Sequence, residues 1–130
     1  MEISVSHEQG RVPVTVFHIK GDITQADELQ HLAQDAFNQG DRYLLLDLGE
    51  VPFMGSWGLR ALHVIYMLLR SDAPDEKDEV VRSGLRDGTY KSRHLKLLRP
   101  SETVMKVLSL AGYDMFLEIH RDLKEAIASF

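Results

Sequence analysis

Apolar residues follow two different periods along this chain, and the changes between them mark the elements. Residues 3–5 and 12–19 are β-rich runs separated by the polar Glu8-Gln9-Gly10, which predicts two strands joined by a turn. Leu29, Leu32, Ala33, Ala36 and Phe37 then recur at helical spacing. Thr24 stands three positions before Asp27, as in a capping box, and Gly40 supplies the residue that closes this helix. Residues 43–48 (YLLLDL) are apolar on both faces and bounded by turn residues, the pattern of a central parallel strand covered by helices.

Residues 56–70 return to helical spacing. Leu62, Ile65, Tyr66 and Leu69 gather on one stripe, and Trp57, Ala61, Val64 and Leu68 on a second about a third of a turn away. The first stripe is expected to face the sheet, and the second neighbouring helices or a partner. Residues 94–98 (HLKLL) predict a further strand. Ser101 is expected to cap a helix that buries Val104, Val107, Leu108 and Ala111 and ends at Gly112. Residues 115–119 predict the last strand and 122–130 a terminal helix. Strands alternating with helices give an α/β fold, mainly a parallel sheet with an N-terminal antiparallel strand and about four helices.

Residues 71–93 break the pattern, with an acidic stretch around Asp72, Asp75, Glu76, Asp78 and Glu79 and then a basic one holding Arg82, Arg86, Lys91 and Arg93. They read as an insertion within a single domain spanning residues 1–130. Pro74 and Gly84 could bracket a short helix, but a solvated mobile loop is the default, with Val80, Val81 and Leu85 as anchors. With about 14 helical residues at about 1.5 Å each, its root should lie about 20 Å from Ser56. The sharper expectation for such a long connection is a docking element.

Composition narrows the function. A net charge of -5 argues against a broad electrostatic grip on nucleic acid or an anionic membrane surface. Cysteine is absent, which removes disulfides, thiol catalysis and Cys-containing zinc sites. His7, His18, His31, His63, His94 and His120 show no metal-ligand spacing, and no phosphate-binding loop or dinucleotide fingerprint exists, so no cofactor is expected. The start, MEISVSHEQG, lacks a basic stretch followed by an apolar run, so no secretory signal is expected and the cytoplasm is the expected compartment. Asp47 lies inside the apolar strand, and is read as a loop organiser accepting backbone N–H groups rather than as a catalytic acid.

The remaining chemistry centres on Ser56. Strand, serine, helix is the order of a nucleophile elbow, but that motif needs glycine two positions before the serine, where Met54 stands. An enzyme is therefore not expected. A serine at a helix start serves either as an N-cap or as a phosphorylation site, because the same helix end tolerates added negative charge.

Three segments resemble the STAS domain of bacterial anti-sigma factor antagonists. GDIT at residues 21–24 resembles the family's G-E-L-D turn, LLLDLGEVPFM at 44–54 its strand and loop, and GSWGL at 55–59 its D-S-S-G-L motif. HLKLL and VMKVLSLAGYDMFLEI resemble the closing strand, helix and strand, so the likeness spans nearly all of the chain outside the insertion. Gly55, Trp57 and Thr24 depart from the motif residues. The resemblance implies a non-catalytic signalling domain that captures an anti-sigma factor, itself a serine kinase, until phosphorylated. It implies Ser56 as phosphoacceptor, with Thr24, Trp57, Arg60, Ala61 and Val64 as partner contacts, and leaves a homodimer as a further assembly. Two rival readings are a constitutive scaffold with Ser56 unmodified and a small-molecule or lipid-binding domain of the same fold.

Overall fold

The computed structural model describes residues 1–130. Strand β1 (Glu2–Gln9) pairs antiparallel with β2 (Pro13–Lys20), setting Val5 opposite Phe17. Strands β3 (Leu44–Glu50), β4 (Leu95–Leu98) and β5 (Ile119–His120) then add in parallel, giving the order β1-β2-β3-β4-β5. Helices α1 (Asp27–Asn38), α2 (Ser56–Arg70), α3 (Asp78–Asp87), α4 (Glu102–Leu110) and α5 (Leu123–Ser129) complete the chain. This is the α/β arrangement expected from the strand and helix periods, with α3 inside the insertion as a fifth helix. No helix is long and apolar enough to cross a membrane.

The central position of β3 explains why its sequence is apolar on both sides. Leu44, Leu46 and Leu48 join Phe17, Ile19, Leu95 and Leu97 on one sheet face, where α1, α2 and α4 cover them with Leu29, Leu62, Ile65, Val104 and Leu108. Leu45 points the other way and packs with Val14, Val16, Leu98 and Ala126 under α5. Removing any of these fully buried leucines to alanine leaves a cavity costing about 2–5 kcal/mol. Ser101 does cap α4, its Oγ accepting from the Val104 N–H at 3.2 Å.

Two expectations about element ends are corrected. Thr24 does not cap α1: the cap position is Ala26, without a side-chain bond, because the preceding Ile23 is held in a parallel bridge to Met54. The last strand is only two residues long, since a 3-10 turn at Tyr113–Met115 takes the start of the segment expected to be extended.

The insertion is folded rather than loose. Val81 is buried in the main core, while Val80 and Leu85 stay exposed. Gly84 lies within α3 instead of ending it; a Cβ there would meet the Tyr90 Cβ at 2.7 Å, and the helix stops at Gly88, whose φ of 73° suits glycine. Tyr90 locks the segment to α2 and to the 3-10 turn at Pro74–Glu76, its Oη lying 2.8 Å from the Tyr66 Oη and donating to Glu76 Oε2 at 2.7 Å. Burial first, then the Tyr66 and Glu76 neighbours, push the Tyr90 phenol far up, so it remains a neutral donor.

Candidate functional site

Two loops meet at the C-terminal end of β2 and β3. The Gly21 N–H donates to the Glu50 carbonyl at 3.0 Å, the Ile23 N–H to Phe53 at 2.9 Å, and the Gly55 N–H to Ile23 at 3.0 Å. This backbone ladder fixes the 21–24 turn beside the entry to α2 and sets exposed Thr24 at the same end of the sheet as Ser56. Gly55 holds the N-cap position, so Ser56 is the first residue of the helix. Its side chain is exposed, and the helix has no side-chain cap bond. Ser56 as a cap, one of the two roles open to it from sequence, is thereby ruled out.

The first turn of α2 carries no acidic residue, so the partial positive charge of its free N–H groups is uncompensated around the Ser56 hydroxyl. Trp57 is 59% exposed beside it, and Phe53 in the preceding loop is 44% exposed. One turn and two turns further on, Arg60 and Val64 are also exposed, Val64 at 36%, followed by Met67 at 44%. Ala61 is a correction: it is 0% exposed and belongs to the core, so it cannot touch a partner. On a helical wheel Ala61 lies about 40° from Trp57 on the side toward Ile65, where the sheet and α1 close over it. Phe53 and Met67 were not singled out from sequence. Met67 follows Arg60 by seven and Val64 by three, a spacing that a stripe centred on Trp57 and Arg60 would have included.

Asp47 accepts the Gly49 N–H at 3.0 Å, as expected of a loop organiser, but also joins an unexpected chain of side chains. Ser6 Oγ donates to His18 Nε2 at 3.1 Å, His18 Nδ1 donates to Asp47 Oδ2 at 3.0 Å, and Arg99 Nη2 donates to the same oxygen at 2.9 Å. One neutral tautomer of His18 satisfies both of its bonds. The order is that of a nucleophilic serine and its base. However, the two donors beside it, the Gly49 N–H and the Arg99 guanidinium, are both given to Asp47, so the chain acts to satisfy a carboxylate inside a buried strand. No local motif announces it, because Ser6, His18 and Asp47 come from three strands and Arg99 from just past the end of β4.

Burial alone would raise the Asp47 pKa, but the Gly49 N–H, His18 and Arg99 outweigh it and hold the carboxyl below its ordinary value of 3.8. A carboxyl with a depressed folded pKa contributes stability that is complete above its unfolded pKa and lost as pH falls through the folded value. Asp47→Asn is therefore expected to lower stability at neutral pH, and to flatten the fall in urea midpoint between about pH 5 and pH 2. Parallel acid limbs in the two proteins would show that Asp47 carries no such linkage.

The STAS domain family model matches residues 5–73 of the chain. No curated protein matches it. Among solved structures, an anti-sigma factor antagonist from Mycobacterium paratuberculosis superposes with a TM-score of 0.68 at 19% identity, covering 98% of this chain and 93% of that one. The Bacillus cell fate determinant SpoIIAA in its phosphorylated form gives 0.62 at 18% identity, covering 95% and 96%. The anti-sigma factor antagonist SpoIIAA in its unphosphorylated form gives 0.63 at 15%, covering 95% and 92%.

Proposed function

This chain belongs to the STAS domain family, and from that membership we propose that it is a non-catalytic anti-sigma factor antagonist, working by reversible protein binding and switched by phosphorylation of Ser56. The observation that carries the proposal is the free Ser56 side chain on the first turn of α2, open to solvent and flanked by the exposed aromatic rings of Phe53 and Trp57. A hydroxyl in that place is reachable by a kinase, and the helix end behind it accommodates a dianion. The partner is an anti-sigma factor that is also a serine kinase and supplies the ATP. Two of the similar structures are of SpoIIAA with and without phosphate, which supports a fold compatible with both states.

The physical effect of the phosphate is local. It adds about -1.5 to -2 charges at neutral pH to the rim of an apolar stripe. A partner that covers Phe53, Trp57, Val64 and Met67 must then desolvate that charge, which costs more than apolar burial returns unless the partner offers cations. Thr24 and Arg60 form the polar edge of the same surface, with the hydroxyl and guanidinium at its two sides.

The test is intact mass after incubation with the cognate kinase and ATP. Wild-type protein is expected to gain one phosphoryl group and Ser56→Ala none. An unchanged wild-type mass, with the partner still bound, would favour a constitutive scaffold. A co-purifying small molecule or lipid, seen by native mass spectrometry and released by substitutions around Trp57, would favour the ligand-binding reading.

A further inference from the structure

At the other end of α2 the insertion meets β4 around a buried histidine. The His94 side chain is only 7% exposed, and both of its ring nitrogens face oxygen atoms. Nδ1 lies 2.9 Å from the Arg42 carbonyl and Nε2 lies 3.1 Å from Asp75 Oδ1. A carbonyl and an ionised carboxylate can only accept, so both bonds form only when both nitrogens carry protons and the ring is an imidazolium. The other groups around the ring suit that charge. Tyr43 stacks on it at 4.9 Å and 18°, and Glu76, which accepts from the Tyr90 hydroxyl, brings a second carboxylate oxygen within 4.8 Å. The cations nearby are given to other partners or lie in solvent. The Arg42 guanidinium turns to Asp72, Lys96 is held by Glu118 and Ser129, and Arg93 is 77% exposed with its guanidinium 4.0 Å from Asp75.

We propose that His94 and Asp75 form a pH-sensitive latch, closed while the ring is charged, that holds the 3-10 turn of the insertion against the sheet. Loss of one ring proton leaves a single donor for two acceptors. The Arg42 carbonyl cannot yield, because the Leu44 N–H donates to the His94 carbonyl at 2.8 Å and pins that backbone to β4. Asp75 can yield, since its side chain is 37% exposed and has water to turn to. The bond that breaks is therefore the one that reaches the insertion. Asp75 sets the acid limit of the latch. Burial raises its carboxyl, but the hydrogen bond and charge of His94 outweigh burial and hold it below its ordinary value of 3.8. Its share of the holding is present above the unfolded value and lost as pH falls through the folded one. The share from His94 is present while the ring is charged and lost as pH rises and the ring gives up its proton. Val81 stays in the core and the Tyr90–Tyr66 bond does not involve the ring, so opening is confined to residues 74–76 and to the Glu76 bond with the Arg93 N–H.

The test is amide hydrogen exchange of the full chain at about pH 5.5 and about pH 8.5, corrected for the intrinsic rate, together with the 15N shifts of the His94 ring. Ring protonation and the exchange of the Glu76 and Arg93 amides should follow one pH curve. Exchange at these two amides is expected to rise about tenfold or more toward the higher pH, the loss expected for one hydrogen bond to a charged group, while the amides of β3 keep their rates. His94→Gln should abolish the rise. Asp75→Asn, an exposed change that leaves the core intact, keeps an acceptor but removes the charge, so its exchange at the lower pH should already approach the wild-type rate at the higher one. Ser56→Ala should respond as wild type does, which separates the latch from the phosphorylation switch. The proposal is overturned if one His94 nitrogen lacks a proton while the segment is closed, if exchange is equal at the two pH values, or if the rise persists in both His94→Gln and Asp75→Asn.

Discussion

Replacing Gly58 with alanine is expected to destabilise the fold by about 2 kcal/mol and to disturb the Ser56 loop, even though alanine is the better helix former by about 1 kcal/mol. An added Cβ would stand 2.6 Å from the Met54 Cγ, 2.9 Å from the Ile23 Cγ2 and 3.1 Å from the Ile23 carbonyl oxygen. Met54 can turn aside. Ile23 cannot, because its N–H is bonded to Phe53, its carbonyl accepts from Gly55, and its side chain is fully buried. The strain must therefore move either α2 or the 21–24 turn, and both carry residues of the proposed docking face. Urea unfolding would show a lower midpoint at unchanged slope, and amide shifts would spread through residues 21–26 and 53–58. A midpoint at or above that of wild type would mean that the helix–turn contact is loose and that helix propensity wins.

That contact also marks the limit of what local pattern could foretell. The apolar run through β3, the serine-led α2 and the Ser101 cap of α4 were legible because each is settled by near neighbours in the chain: period, cap and turn residues agree. Thr24 had the right spacing for a capping box, yet a bridge to residues thirty positions away pulled the turn off the helix. Ala61 failed for a related reason. A helical wheel orders positions by angle but cannot place the boundary between buried and free, and here α1 and the sheet extend the buried arc past Ala61. The insertion misled in the other direction. Its charge content reads as solvated loop, whereas Tyr90, Glu76 and His94 tie it down through bonds to Tyr66 and Arg42 that no spacing rule contains. The candidate site was thus half visible: Ser56, Trp57, Arg60 and Val64 from the motif and the wheel, Phe53 and Met67 only from exposure.

Trp57 is where the proposed docking should concentrate its energy. It is the chain's single tryptophan, more than half exposed, next to the residue proposed to be modified. Aromatic anchors at the centre of an interface commonly cost 2 kcal/mol or more when truncated, so Trp57→Ala is expected to weaken binding of the anti-sigma factor kinase at least about 30-fold. Because the ring contributes little to the core, the same change should shift the urea midpoint within about 0.5 kcal/mol. Ser56→Asp tests a different term. It removes no contact area, yet sets one charge at the rim of the stripe, and should weaken binding about tenfold or more, chiefly through faster dissociation. Labelling the protein with fluorotryptophan makes Trp57 its own reporter: its 19F resonance should move when the partner covers it and stay at the free position with Ser56→Asp at partner concentrations that saturate wild type. Wild-type affinity in both variants, with an unmoved resonance in the complex, would place the partner elsewhere on the domain and leave the α2 face without a role in the switch.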